Sequence, residues 1–131
     1  MLYSPPVAGS TEDHDEILQL LYRYNHAIDG GDADAWADTW TDDGVFDSGN
    51  YRAEGRDALL GVVKGAPPGF RHVVVNPSID VDGDRATMRA YLLLLRRGAL
   101  AAVGDYRDEL VRTPQGWRFA QRLVAMEEPP A

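Results

Sequence analysis

The sequence predicts an α+β fold: a strongly curved, cone-shaped antiparallel or mixed sheet with three N-terminal helices enclosing a pocket. Three observations lead there. Apolar residues recur every three or four positions in the first half of the chain and every second position after residue 70. Glycine and proline punctuate the chain at Gly30-Gly31, Gly65 to Pro68, Gly83 and Pro114 to Gly116. The alternating segments are longer than the usual strand of about five or six residues, so their sheet must twist and coil. Helices followed by long strands pack as helices on one face of a meander. A coiled sheet closed by helices leaves a hollow suited to a small molecule.

The chain has 131 residues, enough for one domain that buries roughly two-thirds of its unfolded surface. Residues 1–11, with Pro5, Pro6, Gly9 and Ser10, read as a flexible arm, 12–127 as the domain and 128–131 as a tail. Thr11 is the expected cap of the first helix, with Glu12, Asp13 and Asp15 at its positive end. Ile17, Leu20, Leu21, Tyr24 and Ile28 form its apolar stripe, and Gly30-Gly31 ends it. Asp32 or Asp34 caps a short second helix carrying Trp36. Asp42-Asp43-Gly44 reads as a turn before a short strand at Val45-Phe46-Asp47. A third helix is expected over 57–64. Strands follow over 70–81, bent near Pro77, then 85–97, 100–113 and 116–127, with Asp82-Gly83-Asp84 as a hairpin turn. Trp36, Trp40, Phe46, Phe70, Met88, Leu92 and Trp117 are expected in the core or the pocket wall.

Composition removes several function classes. Thirteen basic against 21 acidic residues give a net charge of −8, which repels phosphate backbones and anionic bilayers, so neither nucleic acid nor membrane is an expected partner. With no cysteine, disulfides and thiolate chemistry are excluded. No secretory leader is visible at the N-terminus, so a cytoplasmic location is expected. No histidine pair has metal-ligand spacing, so no metal is expected. Gly30-Gly31 follows a helix, the wrong context for a dinucleotide fingerprint, and no Gly-x-Ser-x-Gly elbow occurs. No cofactor is expected.

The arrangement resembles the nuclear transport factor 2-like superfamily, and within it the SnoaL-like group that includes scytalone dehydratase and bile acid dehydratase-like proteins. The resemblance covers about residues 12–126. It is carried by Tyr24-Asn25-His26-Ala27-Ile28-Asp29-Gly30-Gly31-Asp32, Trp36, Trp40-Thr41-Asp42-Asp43-Gly44-Val45-Phe46 and Gly55-Arg56. Arg71-His72-Val73-Val74-Val75-Asn76, Asp82-Gly83-Asp84, Gly104-Asp105-Tyr106-Arg107-Asp108 and Gly116-Trp117-Arg118 complete it. The superfamily holds dehydratases, isomerases, cyclases, hydrolases, hydroxylases and binding modules, so the fold does not transfer a reaction.

Asp29 and His72 are the leading catalytic candidates. Asp29 stands in the last turn of a helix, where the dipole disfavours a carboxylate; it serves either a pocket or the Gly-Gly turn. Phe70, His72, Val74 and Asn76 share one face of their strand, so His72 is either a core histidine or a pocket base. The resemblance implies that a helix-end aspartate pairs with a strand histidine, orienting it and stabilising its protonated form. It also implies a catalytic role for Tyr24, which is about 140° around the helix from Asp29 and could equally be core. Tyr51, Trp40, Asn76, Phe70, Tyr106 and Asp108 are candidate substrate contacts, although Asp108 could instead pair with Arg118 or Arg122.

The expected function is a cofactor-independent lyase or isomerase, dehydratase-like, transferring a proton next to a carbonyl in a hydrophobic, cyclic small molecule. The alternatives are a non-catalytic small-molecule binding or accessory protein, and a ketosteroid isomerase-like or polyketide cyclase-like enzyme. An epoxide hydrolase would need an Asp-Arg-Asp set, for which Arg89, Arg107 and Arg118 are available. Leu93, Leu95 and Val111 leave the sheet's second face apolar, which predicts a homodimer or higher homo-oligomer.

Overall fold

A computed structural model of the chain describes residues 10–128. Of the expected arm over 1–11, residues 1–9 lie outside the described residues, and Ser10 and Thr11 belong to the cap and start of the first helix; of the expected tail over 128–131, residues 129–131 lie outside them.

Helix α1 spans Thr11–Asp29. Its cap is Ser10, one residue before the expected Thr11; the Ser10 hydroxyl accepts from the Asp13 amide at 3.0 Å. Ile17, Leu20, Leu21, Tyr24 and Ala27 make the buried stripe. Gly31, at φ 72°, takes the left-handed conformation that turns the chain out of the helix. Asp32 caps α2, Ala33–Ala37, by accepting from the Ala35 amide. Helix α3 spans Arg56–Lys64.

Six strands form one open sheet: β1 Trp40–Asp47, β2 Arg52–Glu54, β3 Phe70–Asp82, β4 Arg85–Arg96, β5 Ala99–Thr113 and β6 Gly116–Met126. Their order is β2-β1-β6-β5-β4-β3. All neighbours are antiparallel except β1 and β6, which run parallel. The sheet is mixed and curved, as predicted, with the helices against one face, and it is unclosed.

Two strand readings change. Asp42-Asp43-Gly44 lies inside β1 rather than in a turn, and the short β2 joins as a new edge strand. The physical reason is a bulge: pairing with β6 jumps from Trp40–Phe119 to Val45–Gln121. A side chain at Gly44 would sit 2.9 Å from the Trp40 ring, so glycine is what lets the bulged strand fold over Trp40. In β3 the bend falls at Asn76–Pro77. Asn76 has φ 54°, and the register with β4 shifts between Val75 and Ser78. The shift takes Asn76 off the face it was expected to share with His72.

The core lies between the helices and the concave sheet face. Trp36, Trp117, Phe119, Met88, Leu110, Leu59 and the α1 stripe are fully buried. Trp40 and Leu92 join them, while Phe46 packs against the cluster half-buried. Among the described residues no helix is long and apolar enough to cross a membrane.

Candidate active site

The end of α1 delivers Asp29 and the start of β3 delivers His72. His72 Nδ1 lies 2.6 Å from Asp29 Oδ1. The His72 backbone N–H also donates to both carboxylate oxygens, each at 3.1 Å. These contacts offset the unfavourable placement of a negative charge at a helix C-terminus. An ionised carboxylate only accepts, so a neutral imidazole bonded to it carries its proton on Nδ1 and its lone pair on Nε2. The His72 and Asp29 side chains are 15% and 21% exposed, shielded yet reachable.

The pair opens on a groove of about 400 Å³. Ile28 from α1, Val63 from α3, Phe70 from β3 and Leu94 from β4 supply apolar wall. Ala66, Pro67 and Pro68, which stop α3, form the rim. The His72–Leu94 register in β3–β4 places the imidazole and a leucine side by side on the same face. Apolar walls around a hydrogen-bonded acid–base pair suit a hydrophobic ligand presenting a C–H to Nε2.

Of the other expected residues, only Phe70 lines this groove, with the Arg96 guanidinium stacked 4.9 Å from its ring centre. Tyr24, Tyr106 and Asp108 gather in a second, interior cluster. Tyr24 is 1% exposed, its ring packed against Trp36, Trp40 and Phe119 at 5.2, 6.1 and 5.4 Å. It faces the core rather than the groove because it belongs to the apolar stripe of α1. Trp40 is buried beside it and also borders a separate cleft with Asp42, Arg56 and Arg118. Asn76, displaced by the bulge, is exposed and borders a different cleft with Arg89 and Tyr91. Tyr51 is half exposed and lies away from the groove.

The interior cluster centres on Arg122, whose side chain is entirely buried. Its Nε and Nη2 donate to Asp108 Oδ1 and Oδ2 at 2.7 and 2.8 Å. The guanidinium carbon lies 3.6 Å from the Tyr106 ring centre and 4.5 Å from those of Tyr24 and Phe119. Burial pushes the Asp108 carboxyl up from the usual range while Arg122 draws it back. Burial also works against the Arg122 charge, but Asp108 outweighs it and holds the guanidinium charged. Burial pushes the Tyr24 and Tyr106 hydroxyls up as well. Arg122 Nη1 and the indole N–H groups of Trp36 and Trp40 have no acceptor among the described residues.

Strand alternation hides Arg122. Between β5 and β6 the pairing steps from Leu110–Phe119 to Glu109–Gln121, and the extra residue turns Arg122 inward behind Phe119. The readable signal is an arginine in an apolar strand opposite an aspartate in the neighbouring one. Asp108 is the carboxylate that Arg122 meets, and Arg89 and Arg107 are exposed. Two Asp-Arg-Asp sets do occur among the described residues, Asp13-Arg112-Asp84 and Asp34-Arg56-Asp38, but neither uses Arg89, Arg107 or Arg118 and neither lines the groove. No three His, Asp or Glu side chains among the described residues gather as a metal site.

The profile of the SnoaL-like domain family matches residues 9–123. An uncharacterised protein of Mycobacterium tuberculosis is 34% identical over 129 residues, covering 85% of this chain and 83% of its own. Among solved structures, a nuclear transport factor 2-like protein with a cystatin-like fold from Novosphingobium aromaticivorans is 31% identical. It superposes with a TM-score of 0.83 over 92% of this chain and 85% of that one. A candidate scytalone dehydratase from the same species, 22% identical, shares the fold with a TM-score of 0.79 over 91% of this chain and 89% of its own.

Proposed function

The chain belongs to the SnoaL-like family, and from that premise we propose that it is a cofactor-independent lyase or isomerase that moves a proton next to a carbonyl. The observation that carries this reading is the Asp29–His72 contact in the wall of an apolar groove. His72 Nε2 removes the proton α to the carbonyl. Asp29, bonded to Nδ1, stabilises the imidazolium that results. The same Nε2–H then returns the proton, either to another carbon (isomerisation) or to a β-hydroxyl that leaves as water (dehydration). General acid–base assistance of this kind contributes ~10²- to 10⁴-fold, about 3 to 5.5 kcal/mol.

The groove lining offers no hydroxyl to the enolate oxygen, since Tyr24 is committed to the interior. Substrates whose α-proton is already acidified, such as cyclic β-dicarbonyls and benzylic ketones, are therefore favoured. The test is deuterium uptake from heavy water into 2-tetralone, followed by proton NMR. The wild-type protein accelerates uptake, and His72→Ala lowers the rate by ~10²- to 10⁴-fold. No uptake above the buffer rate, or equal rates in the two proteins, refutes the proposal.

One observation favours a second reading, a non-catalytic binding protein on the same scaffold. Tyr24, Trp36, Trp40 and Phe119 fill the interior, confining ligand to the mouth. Saturable tetralone binding without deuterium uptake is its signature.

A further inference from the structure

A second cleft adjoins the groove and shares Asp29, Gly30, Gly69 and Phe70 with it. Its remaining lining is His26, Arg71, Leu95, Arg97 and Gly98. In a chain of net charge −8 this corner is cationic. Its guanidinium groups are those of Arg71 and Arg97, with Arg96 stacked on the shared Phe70. Arg71, Arg96 and Arg97 form no ion pair among the described residues, whereas Arg52, Arg56, Arg112 and Arg122 are each matched to a carboxylate. The one carboxylate in the cleft, Asp29, has both oxygens committed to His72.

Arg96 and Arg97 are held there. Arg97 and Gly98 form the β4–β5 turn, with φ of 51° and 80°. A turn with positive φ at both central residues ordinarily takes Asn, Asp or Gly. An arginine at the first position is a strained choice, and such strain concentrates where a side chain has another use. The Arg97 side chain lies back over Gly69: its Cγ and Nε would stand 3.9 Å from a Cβ built there. Arg96 stacks on Phe70, the residue both clefts share.

We propose that this cleft binds an anionic group of the substrate, a carboxylate or phosphate, through Arg71 and Arg97 while the apolar body of the same molecule lies in the groove against His72. The proposal rests on the proton-transfer reading for the role of the groove and adds the substrate class: an acid carrying a hydrophobic ring. Guanidinium forks match carboxylate and phosphate oxygens in pairs, and the unpaired charge already present favours an incoming anion.

The test is calorimetric titration of the full chain with 2-naphthoate, 1-naphthyl phosphate and the neutral 2-naphthamide at low and moderate salt. The wild-type protein is expected to bind at least one anion about tenfold or more tightly than the amide; which anion leads identifies the group. That preference shrinks with salt. It falls to near parity in Arg71→Gln/Arg97→Gln, while amide affinity and the urea midpoint stay unchanged. Equal affinity for all three probes, no saturable anion binding, or a preference that survives the double substitution overturns the proposal. Equilibrium binding is independent of deuterium uptake, so the anion cleft and the proton-transfer reading can each fail alone.

Discussion

Replacing Asp29 with asparagine probes the candidate site most directly. The carboxylate accepts the His72 amide on both oxygens and the imidazole Nδ1–H on one of them. An amide keeps the shape but offers one acceptor and one donor. If its oxygen takes the backbone N–H, its NH₂ faces Nδ1. The imidazole then moves its proton to Nε2, and the base lone pair points at Asn instead of substrate. The reversed amide leaves two N–H groups opposed. Either way a charge-assisted bond is lost, worth about 1.5–3 kcal/mol in full and nearer 1–2 kcal/mol where the carboxylate is partly solvated. Deuterium uptake should fall by ~10²- to 10⁴-fold, far beyond what that stability loss produces in a folded protein. Nitrogen-15 NMR of His72 should show the tautomer exchanged. Wild-type uptake in Asp29→Asn, with the His72 tautomer unchanged, would refute the reasoning.

The remaining predictions concern stability and assembly. Asp108→Asn removes one charge of the fully buried pair with Arg122 and should cost about 3 kcal/mol or more in urea unfolding. Combining Asp108→Leu with Arg122→Met should recover most of that loss; a single variant as stable as wild type contradicts the account. Hydrogen bonds from Arg112, with lesser ones from Trp117 and Ser10, hold the Asp13 carboxyl down to about 2. A lowered folded-state value stabilises the fold above the unfolded value of 3.8, and that contribution disappears as pH falls through about 2. Asp13→Asn should therefore lose about 1 kcal/mol at pH 6, after discounting for solvent screening, and almost nothing at pH 2; a difference that persists at pH 2 contradicts the linkage. We propose that the outer sheet face, where Tyr91 is 52% and Leu123 40% exposed beside Leu93, pairs with a second copy. Sedimentation at micromolar concentration should find a dimer that Leu123→Glu dissociates, and a monomer throughout would count against it.

Much of the fold is legible because its signals are local. The stripe from Ile17 to Tyr24, the Gly30-Gly31 stop and the Asp82-Gly83-Asp84 hairpin each rest on a few neighbouring residues. Asp42-Asp43-Gly44 misleads for the same reason: it has the composition of a turn, and only the partner strand β6 draws it into the sheet. Asn76 is misplaced because alternation assumes an unbroken strand, and one bulge reverses the face. At the site, the placement of Asp29 against its helix dipole is a readable oddity, whereas the burial of Tyr24 beside an arginine is not.

What the amino-acid order determines by itself here is which segments become helix or strand and which polar residues sit against their local preferences. Periodicity, capping and turn chemistry act within a few residues, so they survive without a tertiary context. The meeting of Asp29 with His72, the inward turn of Arg122 and the cationic corner at Gly69 and Phe70 were decided by the packed structure. Each depends on strand register and on bulges, which are settled only when distant segments compete to bury the same surface.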